Sequence, residues 1–161
     1  MNDILHTPLD ASEVIDKVPG CRFIAYENMH LVKSVRELLP RTLILYQLAK
    51  VGHFCCVFNN QEGINFFDPM GMFPDDELTI INPTKAHQTH QDFTYLVKLL
   101  SDGSGGCIWN EYKYQTSGTS TCGMWCAIRM IYSDLTNQEF HHVFRNIPNK
   151  DMVIANLYFK I

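Results

Sequence analysis

The run from Cys122 to Asp134 constrains the fold more than any other part of this sequence. Its residues, CGMWCAIRMIYSD, are apolar on nearly every side of a helix rather than along a single stripe. A helix of that kind is stable when other elements cover it on all sides. The sequence therefore predicts a helix over residues 122–134 that lies in the middle of a domain and not on its surface.

Other patterns predict the elements around this helix. The β-branched and aromatic residues of TLILYQ indicate a buried strand over Thr42–Gln47. Strands at His53–Phe58 and Ile64–Asp68 flank the polar turn NNQEG, and a further strand is predicted over Ile108–Gln115. Strands in the middle of the chain, with helices before and after, indicate an α+β fold with a central mixed sheet flanked by helices, in a single domain spanning 1–161.

Apolar spacing and cap residues predict the remaining helices. The tail 151–161 fits either a helix or a strand, whereas the stretches 68–91 and 101–106 are rich in turn-forming residues and are predicted to be loops. The first predicted helix has Ser12 as N-cap and ends before Pro19. Two more are predicted over 27–39 and 91–101, and a fourth includes Phe140 to Ile147.

Composition and charge exclude several classes of function. The 161 residues are 46% hydrophobic and 19% charged, which is a globular balance. No apolar run is long enough to cross a bilayer and the N-terminus lacks a signal-peptide core, so we expect a soluble intracellular protein without a membrane partner. The formal net charge of −4, with 13 scattered Lys and Arg residues, argues against a nucleic-acid partner. The six cysteines are then expected to be free thiols.

Cys122 is the thiol that the sequence marks as reactive. Residues 119–121 carry hydroxyl groups that can cap the helix, so Cys122 falls in its first turn. There the helix dipole and unpaired backbone N–H groups favour the thiolate, and Gly123 leaves room for a substrate to approach the sulfur. The same N–H groups can accept a developing oxyanion. Cys122 is therefore predicted to be a nucleophile.

His53 and Asp68 are the predicted partners of this thiol. If the hairpin between their strands has a loop with an even number of residues, both side chains leave the same sheet face, whereas an odd loop separates them. In the register that pairs residue 57 with residue 64, His53 lies directly across from Asp68, with Cβ atoms about 5 Å apart. The carboxylate can then orient the imidazole and leave its other nitrogen for Cys122.

Gln115 completes the predicted site. It ends the predicted strand 108–115, from which the chain returns to Cys122. A side-chain amide beside the thiol can donate a hydrogen bond to the tetrahedral oxyanion. We therefore expect an oxyanion hole formed by the Gln115 amide and the backbone at Gly123.

These residues also match a known arrangement in order and in local sequence. The motifs Gly52-His53-Phe54, Phe67-Asp68-Pro69, Gln115 and Thr121–Cys126 resemble the adenovirus protease (adenain) and ubiquitin-like-protein protease superfamily of cysteine peptidases. The sequence is similar above all to the small adenain-like proteases of large DNA viruses and virus-like transposons, over about residues 41–132. The resemblance implies that His53 is the general base and that Asp68 orients it. It also implies that Gln115 is the oxyanion donor and Cys122 the nucleophile.

The resemblance implies a fold and a substrate as well. It implies a papain-like, adenain-type arrangement with the nucleophile at the N-terminus of a buried helix, and we expect a monomer with no cofactor and no metal. Members often cut after small residues, near Gly-Gly or Gly-X-Gly, which suggests an endopeptidase for a viral or virus-like polyprotein, in the host cytoplasm or nucleus or in the virion. Some viral members use a peptide or DNA as activator. The acidic balance of this chain gives no support for activation by DNA, and a peptide activator stays open. One departure is Phe54, where many members have Trp.

Three alternatives stay open. The first is a deubiquitinase- or deSUMOylase-type isopeptidase acting on ubiquitin-like modifiers, although a short chain leaves little surface for binding a modifier. The second is a non-catalytic interaction or metal-binding domain, because Cys122 and Cys126 are one helical turn apart and His87, His90, His141 and His142 are available. The spacing of these residues matches no common zinc pattern. The third is an inactive relative that only binds its target.

Overall fold

The sheet is mixed, as the sequence predicts. The computed structural model describes residues 3–48, 51–102 and 105–161. Within these residues the strands lie side by side in chain order, with parallel outer pairs and antiparallel inner pairs. The α+β class, with a mixed sheet flanked by helices, is therefore confirmed. The strands are β1 (Arg22–Ala25), β2 (Arg41–Gln47), β3 (Gly52–Asn60), β4 (Gly63–Phe67) and β5 (Ile108–Trp109).

Both faces of the sheet are covered. The central strand β3 is buried from residue 53 to residue 58. On one face, Phe54 and Cys56 belong to a core that contains the apolar helix, and on the other face, Cys55 and Val57 belong to a second core. Successive side chains of a strand point to opposite faces, so burial on both sides explains why this strand is a continuous apolar run.

The apolar helix lies in the middle of the larger core. The helices are α1 (Ala11–Ile15), α2 (Pro83–Gln88), α3 (Tyr95–Asp102), α4 (Cys122–Ile131), α5 (Asn137–Phe144) and α6 (Lys150–Lys160). All residues of α4 from Cys122 to Met130 are buried, and α4 contacts β3, α1 and α6. The predicted central helix with Cys122 at its start is therefore confirmed. It ends three residues early, where the buried Arg129 side chain donates to the carbonyls of Tyr132 and Leu135.

The N-cap of the first helix differs from the prediction. Asp10, and not Ser12, caps α1: its carboxylate accepts from the backbone N–H of Glu13 at 2.8 Å, and the Glu13 carboxylate accepts from the N–H of Asp10 at 3.0 Å. This reciprocal capping box outcompetes the single hydroxyl of Ser12, which instead donates to Asp10. The sequence pattern D-x-x-E contains this signal.

The predicted helix over 27–39 is wrong in type. The structure has two short 3₁₀ helices there, Tyr26–Leu31 and Val35–Leu38. Ser34 interrupts the run because its side chain accepts from the N–H of Arg36 and starts a new turn. The helix predicted over 91–101 begins later, at Tyr95.

Three other regions also differ from the predictions. The predicted loop 68–91 contains α2 and a third 3₁₀ helix, Asp76–Ile80. The predicted strand 108–115 ends at Trp109, since the next side chain bonds to the backbone of Asp68 instead of continuing the ladder. In the tail 151–161, for which the sequence allowed a helix or a strand, the structure has the helix α6. In the predicted loop 101–106, the first two residues belong to α3, and residues 103–104 lie outside the described residues. No helix in the described part of the chain is long and apolar enough to cross a bilayer.

Candidate active site

His53 and Asp68 are in direct contact. The Nε2 atom of His53 lies 2.7 Å from Oδ1 of Asp68, and both side chains are buried. The hairpin explains the contact: Asn60 pairs with Gly63, so the loop contains only residues 61 and 62. An even loop puts both side chains on the same face, as predicted.

The register of this hairpin differs from the predicted one by two residues. Val57 pairs with Phe66 and not with residue 64, because the tight loop lets both strands continue into the predicted turn. His53 and Asp68 are therefore diagonal neighbours rather than directly opposite. The imidazole is long enough to bridge a diagonal pair, so the contact survives the change of register.

The surroundings of His53 favour its charged form. Burial lowers the pKa of the imidazole, but Cys55, Asp68 and Cys122 raise it, and the balance lies well above the ordinary value for histidine. The site therefore favours the protonated form of His53 more than water does. Because Asp68 occupies Nε2, the other ring nitrogen, Nδ1, is the one left for Cys122.

Asp68 is held in place independently of His53. The backbone N–H of Met70 donates to Oδ1 at 2.7 Å. The Asn110 side chain accepts from the Asp68 N–H at 2.9 Å and donates to the Asp68 carbonyl at 2.6 Å. Beyond the end of β5, the bonds from Asn110 take the place of backbone hydrogen bonds between the strands. The other carboxylate oxygen, Oδ2, is buried and makes no hydrogen bond within the described residues.

Cys122 begins α4, as predicted. The backbone N–H of Phe54 points at its sulfur from 3.5 Å. The residue is 8% exposed, so the sulfur is recessed but borders a cleft. All six cysteines are free thiols.

The hydroxyl cap predicted for α4 is absent. Thr121 is the N-cap residue, but its side chain makes no capping bond and its hydroxyl donates to Asp151 at 2.6 Å. A capped helix would use one of its first-turn N–H groups internally. Without that cap, the N–H groups beside Cys122 stay available to a substrate oxygen.

Gln115 is positioned by the turn that follows Asp68. The carbonyl of Pro69 accepts from the N–H groups of both Tyr114 and Gln115, at 2.8 and 2.9 Å. The Gln115 side chain lines the cleft and donates one N–H to the carbonyl of Thr119 at 2.8 Å. An amide nitrogen has two N–H donors, so one remains for a substrate.

Gly123 has a different role from the predicted one. A Cβ atom at this position would lie 2.9 Å from Cγ2 of Val14 and 3.3 Å from Cδ2 of Phe54. The missing side chain therefore lets α1 and β3 pack against α4, and it does not open an approach for the substrate. A role of Gly123 in the oxyanion hole stays a prediction that concerns its backbone N–H alone.

One cleft brings the predicted residues together. It has a volume of about 310 Å³, and His53, Gln115 and Cys122 all line it. Asp68 lies behind His53 and contacts it from inside the protein. The cleft also has an apolar wall, made of Pro8, Leu48, Val51, Met70, Met72 and Ile80.

Glu77 belongs to this site but was not predicted from the sequence. Glu77 is buried, lines the cleft, and places Oε1 3.5 Å from Nε2 of His53. Its pKa is raised to about 7, chiefly by burial and also by Asp68, against the lowering effect of His53. A single carboxylate in a segment predicted to be a loop has no periodic pattern that could reveal it.

Asp151 was also missed. Its carboxylate accepts from the hydroxyl of Thr121 at 2.6 Å, from the indole N–H of Trp125 at 3.0 Å and from the N–H of Thr116 at 3.0 Å. Burial opposes its charge, but these three donors together lower its pKa. Asp151 thus ties α6 to the loop that carries Cys122. Its place in an unassigned tail concealed it.

The candidate metal ligands named from the sequence do not form a ligand group among the described residues. Cys126 instead points its thiol at the carbonyl of Phe54, at 3.5 Å. Among the described residues, the group whose potential ligand atoms all lie within 4.8 Å of one another is His53, Cys55 and Asp68. This group contains the proposed base and its carboxylate, and burial raises the pKa of the Cys55 thiol well above its ordinary value.

Comparison with known proteins adds one sequence relative. No protein-family model matches the chain. The uncharacterized protein V9 of Sputnik virophage is 28% identical over 138 residues, which span 81% of this chain and 78% of V9. ChlaDub1 from Chlamydia trachomatis superposes with a TM-score of 0.49 at 12% identity, over 99% of this chain and 92% of that one. At this level of likeness, the function must be argued from the site, and the resemblance to adenain-like proteases stays a prediction.

Proposed function

We propose that this protein is a cysteine peptidase with Cys122 as nucleophile and His53 as general acid and base. The observation that supports the proposal most strongly is the shared cleft, since Cys122, His53 and Gln115 line the same space and Asp68 holds His53 from behind. A thiol, an imidazole paired with a carboxylate and a free amide donor are the groups that acyl transfer requires.

The reaction runs through a thioester. The thiol proton resides on His53, and the thiolate adds to the carbonyl carbon of the scissile bond. The electron pair that moves to the carbonyl oxygen is stabilised by the free Gln115 N–H and the N–H groups that begin α4. When the C–N bond breaks, Nδ1 of His53 gives its proton to the leaving amine. Water, deprotonated by His53, then hydrolyses the thioester and releases the thiol.

The recessed sulfur favours small residues on the acyl side of the scissile bond. Cys122 is 8% exposed at the edge of a cleft with an apolar wall. A substrate backbone must come close to reach it, and glycine allows that approach at the least steric cost. We therefore propose cleavage after Gly-Gly or Gly-X-Gly sequences.

Two kinds of leaving amine fit this chemistry. An endopeptidase that processes a viral or virus-like polyprotein is our first candidate, and the virophage relative supports that setting. An isopeptidase acting on ubiquitin-like modifiers is the second, because the thioester on a terminal glycine is the same when the leaving amine belongs to lysine. Fluorogenic Gly-Gly peptides and ubiquitin-like conjugates separate the two: turnover of the conjugates alone would overturn the first candidate.

Cys122→Ala tests the proposal as a whole. We expect it to lower kcat/KM by about 10⁴-fold or more while the circular dichroism spectrum and the unfolding midpoint stay close to those of the parent. Cys21→Ala is the matched control, since Cys21 is a half-buried thiol outside the cleft. Substantial turnover by Cys122→Ala would refute the assignment.

Alkylation with iodoacetamide, read by mass spectrometry, gives a readout in the same protein that needs no substrate. Cys122 should react first. Burial raises the pKa of Cys21 and of Cys107 to about 11 in each case, and it raises the pKa of Cys55 and of Cys126 well above the ordinary value.

A further inference from the structure

Two buried carboxyl groups meet behind His53. Nε2 of His53 lies 2.7 Å from Oδ1 of Asp68 and 3.5 Å from Oε1 of Glu77. The Asp68 and Glu77 side chains are 0% and 6% exposed, and both carboxyl groups lie beside the same imidazole nitrogen. Two negative charges in so dry a site repel each other, and a protonated carboxyl relieves that repulsion.

The hydrogen bonds of this pair are incomplete when both groups are ionised. Oδ2 of Asp68 and Oε1 of Glu77 are both buried without a partner within the described residues. An ionised carboxylate only accepts hydrogen bonds, so neither oxygen can satisfy the other. One proton on Glu77 would turn the two unpaired acceptors into one donor and one acceptor.

The backbone is built to deliver Glu77 to this place. Asp75, two residues earlier, has the left-handed conformation, with φ of 69°. Its carboxylate accepts from the Tyr46 hydroxyl at 2.9 Å and from the N–H of Val97 at 2.8 Å. A non-glycine residue keeps this conformation only when its surroundings fix it, so the turn that carries Glu77 is held firmly.

We propose that Glu77 is a positioning residue that shares one proton with Asp68. The proton sits on Glu77 and is donated to Oδ2 of Asp68, which leaves Oδ1 to accept from His53. The inference rests on the proposed function, because it assigns Glu77 a part in setting the charge of the catalytic base.

The charge of this group then depends on pH. Burial raises the pKa of Glu77 to about 7, so the carboxyl loses its proton in the neutral range. Above that pH a second negative charge lies 3.5 Å from Nε2 and holds the proton on His53 more tightly. Among the groups facing Glu77 in the described residues, only His53 can be positive; the others are Asp68, Cys55 and Asp76.

An NMR titration of the His53 imidazole tests this coupling without any turnover. The parent is Cys122→Ala, into which Glu77→Gln is introduced, since glutamine can donate an N–H to Asp68 but cannot ionise. We expect Glu77→Gln to lower the pKa of His53 by about one unit, because the second charge is missing. Asp76→Asn is the matched control and should shift it far less. An unchanged pKa in Glu77→Gln, or an equal shift in Asp76→Asn, would overturn the proposal.

The pH profile of the active protein provides a second readout. With Glu77→Gln, the alkaline limb of kcat/KM should move to lower pH by the same shift. Glu77→Ala removes the donor to Oδ2, so at pH 6 we expect its kcat/KM to be about 10-fold below that of Glu77→Gln. Equal rates for these two variants would contradict the shared proton. If the protein turns over no substrate at all, the proposed peptidase activity is refuted. The titration of His53 would still decide the role of Glu77.

Discussion

His53 owes its charge to its neighbours. Burial alone would keep the imidazole neutral, but the surrounding Cys55, Asp68 and Cys122 raise its pKa well above the ordinary value. Asp68 contacts Nε2 directly, at 2.7 Å, and Oε1 of Glu77 lies 3.5 Å from the same atom. The protonated ring therefore depends on two carboxyl groups, and the Asn110 side chain secures the position of the first, Asp68.

Asp68→Asn separates the charge of this carboxylate from its shape. Asparagine keeps an acceptor for His53, so the ring stays oriented while its protonated form loses stabilisation. We expect the pKa of His53 to fall and kcat/KM to decrease about 10- to 100-fold, less than for His53→Ala. Steady-state rates across pH, together with an NMR titration of the ring, measure both effects.

The chain offers a matched control for this change. His87 and Asp92 form a second histidine–carboxylate pair, 2.9 Å apart, on the exposed surface away from the cleft. Asp92→Asn removes the same charge from the same kind of contact and should leave kcat/KM unchanged. An Asp68→Asn variant with the parental rate and the parental histidine pKa would contradict the dependence argued here.

At the scale of elements, α6 supports the active site from a distance. Its first turn supplies Asp151, whose carboxylate receives the hydroxyl of Thr121, the indole of Trp125 and the N–H of Thr116. The loop between Thr116 and Thr121 also holds Gln115 through the carbonyl of Thr119. The helix α6 thus fixes both the start of α4 and the loop that holds the Gln115 side chain.

Asp151→Asn should weaken this support. Asparagine replaces one carboxylate oxygen with an NH₂ group, which then faces one of the three groups that now donate to Asp151. We therefore expect a loss of about 2 kcal/mol in the free energy of unfolding. The loop loses its anchor, and kcat/KM should fall about 10-fold with it. Denaturant unfolding and steady-state assays give the two numbers, with the exposed Asp134→Asn as control. Lost stability with an unchanged rate would show that the loop keeps its geometry without Asp151.

The sequence predicted the elements of the site better than their pairing. Apolar residues on all sides revealed the buried helix α4, and alternation with an even loop placed His53 and Asp68 on one face. The register was wrong by two residues, because side-chain parity is the same in registers that differ by two. Only the geometry of the tight turn at residues 61 and 62 chooses between them.

The sequence could not predict the side-chain hydrogen bonds that take the place of regular backbone hydrogen bonds around the site. Asn110 ends the predicted strand 108–115 by bonding to the backbone of Asp68, and Asp75 fixes the turn that presents Glu77. Both contacts join residues distant in the chain, so no local pattern announces them. The segment 68–91 was predicted to be a loop because it is rich in turn-forming residues, although Asn82 followed by Pro83 is a typical helix start.

On the scale of the whole molecule, the site joins the two cores. His53 projects from the sheet face that carries Cys55 and Val57, whereas Cys122 begins the helix packed on the opposite face. They meet because α4 lies against β3 closely enough for the Phe54 N–H to reach the sulfur at 3.5 Å. The distance between Cys122 and His53 is therefore set by the packing of α4 on the sheet.

Gly123→Ala tests how tightly that packing is set. The added methyl would lie 2.9 Å from Cγ2 of the fully buried Val14, so the Val14 side chain, α1 or α4 must shift. We expect a loss of about 1–3 kcal/mol in the free energy of unfolding, with a lower kcat/KM as Cys122 shifts away from His53. Val14→Ala alone is also destabilising, because it leaves a cavity in the core.

Combined with Gly123→Ala, however, Val14→Ala makes room for the new methyl. The double variant should then be more stable than the sum of the two single changes predicts, by more than about 0.5 kcal/mol. Val18, another buried valine of the same core, serves as control, since it is not among the nearest neighbours of Gly123 and its change to alanine should add to Gly123→Ala without coupling. Urea unfolding of the six proteins measures the cycle. If the effects of Val14→Ala and Gly123→Ala also add, α1 does not set the position of α4. If kcat/KM recovers in the double variant, the packing of α4 controls how Cys122 is placed relative to His53.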